Sequence, residues 1–110
     1  MDCSYMAVPG IKKNIPITLE NIERAVCKFY NIQGSDLRKK VRKREVVQPR
    51  QVSMNLSHYK TKHSLAAIGE YFGGFDHATV LHARNTVDNL LETNKIFKQE
   101  FEQIEQSLNK

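Results

Sequence analysis

The sequence predicts an all-α fold, a compact bundle of five to six helices that contains a helix-turn-helix. Three observations carry this reading. Apolar residues recur at three- and four-residue spacing in successive stretches, as amphipathic helices require. No stretch sustains the apolar–polar alternation of a strand. Thr18, Ser64 and Asp76, all good helix caps, stand just ahead of three of the stripes.

The elements follow in order. Residues 1–16 hold Pro9, Gly10 and Pro16 without a period, and are read as a mobile arm ahead of one domain over 17–110. Thr18 caps the first helix, whose stripe is Ile22, Ala25, Val26, Phe29 and Tyr30, and residues 31–34 end it. Ser35-Asp36-Leu37 is expected to cap a short second helix. Residues 38–44 show no stripe and are read as a loop. Pro49 suits the first turn of a third helix, where its missing N–H costs nothing. That helix has Val52, Leu56 and Tyr59 as its expected apolar face. Ser64 caps a fourth helix carrying Leu65, Ile68 and Phe72 inward, and Gly73-Gly74 stops it because glycine takes positive φ cheaply. The fifth helix is expected over about residues 76–92, with Val80, Ala83, Val87 and Leu90 on one face. The sixth uses Phe97, Phe101, Ile104 and Leu108.

The totals narrow the function. A chain of 110 residues suits one domain with one core and needs no metal or disulfide staple. The formal charge is +5, distributed unevenly: residues 1–64 carry 13 Lys/Arg against 5 Asp/Glu, and residues 65–110 carry 4 against 7. A basic half beside an acidic tail favours a polyanionic partner. Cys3 and Cys27 form no CxxC pair, which points to a reducing, cytoplasmic setting. The start lacks the pattern of a secretory signal, and no apolar run approaches the ~20 residues of a membrane helix. No membrane insertion is expected.

The basic run Arg38-Lys39-Lys40-Val41-Arg42-Lys43-Arg44 places six like charges in seven positions. Such runs are usually solvated loops. Here the mutual repulsion favours an anionic neighbour, which phosphates would supply with salt-dependent affinity. Arg42, flanked by Lys40 and Arg44, suits a narrow minor groove. In Pro49-Arg50-Gln51, the expected helix start would offer free N–H groups and a bidentate guanidinium to a phosphate. Ser64-Leu65-Ala66 offers a second helix start by the same logic. Asp76 is first of all an N-cap, but a carboxylate also accepts from cytosine N4 in the major groove. His77 falls off the apolar stripe and should face outward to a base edge. Ala78 suits a thymine methyl, and Thr79 is expected at a phosphate.

Enzymatic readings have little support. No G-x-x-x-x-G-K-[ST] is present, so these residues have no evident means of binding ATP. His58/His63 and His77/His82 share a spacing but lack a cysteine pair, so neither zinc nor any other cofactor is expected. Asp76, His77 and Ser64 do not make a triad, because adjacent residues on one helix cannot orient one another as a triad needs.

These residues together resemble the C-terminal DNA-binding domain of the bacterial replication initiator family DnaA, over roughly residues 17–108. The resemblance rests on the basic segment, Pro49-Arg50-Gln51, Ser64-Leu65 with Ile68-Gly69, and Phe72-Gly73-Gly74 with Asp76-His77 and Thr79-Val80-Leu81-His82. It implies a helix-turn-helix fold related to the Trp-repressor type. It further implies binding to duplex repeats called DnaA boxes at a replication origin, with other replication proteins as further partners. By the same resemblance, Arg42 stands where an arginine enters the minor groove. Arg50, Gln51, Leu65 and Ala66 stand where phosphates are held, and Asp76, His77 and Thr79 stand on the recognition helix. Phe75 replaces a usual arginine, Ala78 a usual threonine and His58 a common lysine. Because the family's ATPase domain is not among these residues and the start looks native, a stand-alone chain acting in initiation or its control is expected. The alternative is a protein-interaction module of the same fold, motivated by an exposed Phe75. An Arg42→Ala chain is expected to bind duplex less tightly, with its log-affinity against log-salt slope flattened by about one unit or less. Titrations at several salt concentrations measure this, and an unchanged slope removes Arg42 from the contacts.

Overall fold

A computed structural model describes residues 17–39 and 43–108, which form six helices and no strand. The expected arm at 1–16, and Lys40 and Arg42 of the basic run, lie outside the described residues. Helix α1 (Leu19–Tyr30) starts where Thr18 accepts the Asn21 N–H on its hydroxyl at 3.1 Å. It stops where Asn31 takes a left-handed conformation, φ 58°. Ile22 and Val26 are fully buried, while Ala25 and Tyr30 are half-buried. Phe29, expected on the stripe, is instead 36% exposed and meets the Tyr30 ring edge-on at the surface. Helix α2 (Gly34–Leu37) is one turn long. Its cap is Gln33 rather than Ser35, and the Asp36 carboxylate reaches back to the Gln33 N–H at 3.2 Å.

Helix α3 (Arg44–Lys60) departs furthest from expectation, because it begins five residues before Pro49. Its first turn is Lys43-Arg44-Glu45, with the Lys43 carbonyl accepting from Val46 and Val47. The end of the basic run is therefore helical. Pro49 at the sixth position removes the donor that the Glu45 carbonyl would have used. Glu45 is exposed, so water can take that carbonyl, and the helix runs through.

No clean stripe marks α3 because it is the central helix. It packs against α1, α2, α4 (Leu65–Tyr71) and α5 (His77–Thr93), and residues 52–57 are buried one after another. The buried polar groups among them are bonded, as burial demands. Ser53 and Ser57 donate their hydroxyls to the carbonyls four residues back, at 2.9 and 2.7 Å. Asn55 donates to the Arg84 carbonyl at 3.1 Å and to the Asp88 carboxylate at 2.9 Å, tying α3 to α5. Tyr59, expected in the apolar face, is 56% exposed and donates to the other Asp88 oxygen at 2.8 Å.

Two apolar clusters flank this helix. One joins Leu19, Leu37, Met54, Ile68, Phe72 and Val80 under the helix-turn-helix. The other joins Ile22, Val26, Val52, Leu56 and Val87 to Phe97, Phe101 and Ile104 of α6 (Lys95–Leu108). Each fully buried aliphatic or aromatic side chain contributes about 1.5–3 kcal/mol. The fold thus clamps α5 from both ends of its buried face, leaving the opposite face of its first turn to solvent. Asn55→Ala is expected to lower the free energy of unfolding by about 1–3 kcal/mol, because it strips two hydrogen bonds that tie α3 to α5. Denaturant unfolding of the two proteins measures the difference.

Candidate nucleic-acid interface

Helix α4 opens as expected, with Ser64 accepting the Ala67 N–H at 3.1 Å. Ile68 and Phe72 are fully buried and Leu65 half-buried, while Ser64 and Ala66 face solvent. The turn is built on backbone. The Gly69 carbonyl accepts from both Gly74 and Phe75, at 3.0 and 2.9 Å. The Phe75 carbonyl lies so close over Gly69 that a Cβ there would overlap it. Gly73 and Gly74 take φ of 119° and 81°, the region glycine enters freely. Gly73 also has no room for a Cβ, because the Arg38 carbonyl packs on it. The turn is therefore locked to α4 on one side and to the stem of the basic segment on the other.

Out of this turn comes α5. Asp76 caps it through one oxygen, Oδ1, which accepts the Thr79 hydroxyl at 2.7 Å and the Thr79 N–H at 2.9 Å. These bonds, the hydroxyl's foremost, hold the Asp76 carboxyl below its ordinary value. It is thus an ionised, acceptor-only group at neutral pH. Since both cap bonds fall on one oxygen, capping leaves the other compatible with a base donor. Val80 is fully buried beneath, and His77, Ala78 and Thr79 stand exposed around it. Thr79 differs from expectation in one respect. Its single hydroxyl proton goes to Asp76, whereas a phosphate oxygen needs a donor. In this arrangement Thr79 holds Asp76 instead of offering a proton to a phosphate.

The basic segment is more compensated than its sequence suggests. Arg38 meets both Glu23 carboxylate oxygens, at 2.9 and 2.8 Å, and lies 5.1 Å from the centre of the Tyr71 ring. Lys39 pairs with Asp36 at 3.4 Å. Lys43 and Arg44 are exposed at the start of α3. The first two cations of the run thus have carboxylates of their own within the protein, which offset the mutual repulsion.

Arg50 and Gln51 lie in the second turn of α3 or just beyond it, so the free-amide argument for Pro49-Arg50-Gln51 fails: their N–H groups belong to the helix interior. Gln51 is half-buried. Arg50 is only 8% exposed. Its guanidinium donates to the Lys39 carbonyl at 2.6 Å and lies 4.6 Å from the centre of the Phe75 ring. Burial lowers the Arg50 pKa, yet a guanidinium stays charged at neutral pH. Phe75 is half-buried against the first apolar cluster, not exposed. This removes the observation that motivated a protein-interaction module.

Sequence reasoning also missed a group on the flank of α5. Arg84 contacts the His58 ring nitrogen at 3.3 Å, and its carbonyl holds Asn55. The signal lay in the stripe, since Val80, Ala83 and Val87 leave residue 84 at its border. Cys27 is a free buried thiol whose pKa is pushed up to about 11 by burial and by Glu23, which leaves it protonated. None of the described helices is long and apolar enough to cross a membrane.

Two helices meeting through a locked glycine turn, with a polar first turn exposed on the second, define a DNA-binding domain of the helix-turn-helix class. Residues 19–87 match the family described as the bacterial dnaA protein helix-turn-helix, and the chain belongs to that family. It is 41% identical over 112 aligned positions to the chromosomal replication initiator protein DnaA of Bacteroides thetaiotaomicron. That alignment takes in 100% of this chain and 24% of the relative, so the chain spans about a quarter of the length of the curated relative it matches. Gly69→Ala is expected to destabilise the domain despite alanine's better helix propensity. The gain is about 1 kcal/mol, and overpacking against a backbone carbonyl costs about 1–3 kcal/mol or more. A melting temperature at or above the parent's would show that the turn can yield.

Proposed function

We propose that the chain binds duplex DNA sequence-specifically at DnaA-box-like sites of a replication origin, in the cytoplasm, and acts in initiation of replication or its control. The observation that carries this reading is the first turn of α5. Asp76, His77 and Ala78 are presented to solvent there on a helix whose buried face is clamped by Val80, Ala83 and Val87. A helix-turn-helix places those positions against base edges in the major groove. The relative's description as a chromosomal replication initiator supports the setting.

Each residue has a distinct task. Asp76 accepts a base amino proton, as from cytosine N4, on the carboxylate oxygen that the cap leaves over. Thr79 orients Asp76 for this. His77 bonds a neighbouring base edge, and Ala78 touches a methyl group. Lys43 and Arg44, with Lys40 and Arg42, supply phosphate and minor-groove contacts from the basic run that leads into α3, with Gln51 behind them. Ser64, Leu65 and Ala66 approach the backbone at the start of α4. Binding here is without catalysis, since neither ATP hydrolysis nor strand cleavage is assigned to any of these groups.

A labelled duplex carrying a DnaA box is expected to bind more tightly than a scrambled duplex at physiological salt, and equal affinities would sink the proposal. His77→Ala is expected to shrink that gap by about 1–3 kcal/mol, the worth of one good base contact. An unaltered gap dismisses His77 as a reader.

A further inference from the structure

The two halves of the interface are joined by one buried cation. Phe75 immediately precedes the Asp76 cap, and Lys39 immediately precedes the central residues of the basic segment. Arg50 sits between them, its guanidinium against the Phe75 ring at 4.6 Å and bonded to the Lys39 carbonyl at 2.6 Å. The preceding carbonyl, that of Arg38, packs on the Cα of Gly73 in the same turn. Two successive peptide groups of the stem are thereby seated on the turn that launches α5. Arg50 is 8% exposed in this position. Little of the guanidinium is thus open to a phosphate.

We propose that Arg50 is a positioning residue, a planar strut between Phe75 and Lys39 that sets Arg38-Lys39, the stem of the basic segment, relative to the first turn of α5, and that Phe75 holds Arg50 in this role. The proposal rests on the reading that both elements contact duplex. It departs from the resemblance, which puts Arg50 on a phosphate and an arginine at position 75. A second guanidinium at 75 would face Arg50 with like charge, whereas an aromatic face attracts a cation. A lysine could replace an arginine as a point charge on a phosphate, but it cannot reproduce a planar group stacked on a ring.

The test is a double-mutant cycle on Phe75→Leu and Arg50→Gln, with Phe75→Tyr and Arg50→Lys alongside. In the free protein, amide exchange at Arg38 and Lys39, whose N–H groups bond back to Ser35 and Asp36, is expected to speed up about threefold to tenfold in each single variant. Exchange at Val87 should stay unchanged. Affinity for box duplex should fall by a similar factor in each single variant, and no further in the double, because coupled residues are not additive. Phe75→Tyr should match the parent in both measurements, and Arg50→Lys should not. Additive affinity losses, or full rescue by Arg50→Lys, would make Arg50 a phosphate contact and overturn the proposal. Parental exchange at Arg38 and Lys39 in the single variants would overturn it without any DNA present. If the parent binds box and scrambled duplex alike, the proposed function fails, while the exchange data still decide the strut. Should Arg50→Gln unfold, Arg50→Lys and Phe75→Leu carry the same comparison.

Discussion

The arrangement of this interface depends on a methyl group that is missing. At Gly69 the chain of α4 passes directly under the Phe75 carbonyl, and the Gly69 carbonyl receives both Gly74 and Phe75. Five residues after Phe72 the backbone has therefore turned and begun a new helix on a fixed axis. Everything the second helix presents inherits that axis. Val80 drops into the cluster with Ile68 and Phe72, and Asp76, His77 and Ala78 are turned outward as the geometrical remainder. Glycine inside a helix costs about 1 kcal/mol relative to alanine. Here that cost is offset by the close crossing it permits.

What the sequence made legible was local. Thr18, Ser64 and Asp76 cap the helices they precede because a cap is a bond to a backbone N–H two or three residues on, and such a bond needs no tertiary partner. Asn31 and the Gly73-Gly74 pair end helices for equally local reasons. The start of α3 was hidden because its first residues are a charge run, and periodicity is blind where no apolar face has to be buried. The middle of α3 was hidden for the opposite reason. Residues 52–57 are enclosed on every side, so Ser53, Asn55 and Ser57 break a stripe that burial makes unnecessary. Phe29 and Tyr59 lie on the expected apolar faces, yet sit at the margin of the contact and remain exposed.

The candidate site was legible in its residue types and less so in their roles. Asp76 and His77 stand on the surface as their spacing predicts. Thr79, Arg50, Arg38 and Lys39 are polar for reasons internal to the protein. One holds a cap, another lies between a ring and a carbonyl, and the other two meet Glu23 and Asp36. A one-dimensional string shows a positive charge but not its counter-charge fifteen residues upstream, as with Arg38 and Glu23. Of the four described cations of the basic run, Arg38 and Lys39 are paired with carboxylates of the fold, while Lys43 and Arg44 stand exposed at the start of α3.

The position of those two cations has a cost for the free domain. They stand at the cap and first residue of α3, the end of a helix that already carries about half a positive charge from its aligned peptides. Glu45 is the single acidic side chain in that turn to oppose them. Cations so placed each weaken a helix by about 0.3–1 kcal/mol, a penalty that a nearby anion cancels. A polyanion at this turn would offset that penalty. Occupancy and folding are coupled through it, so the bound domain resists unfolding more than its unliganded contacts alone would allow.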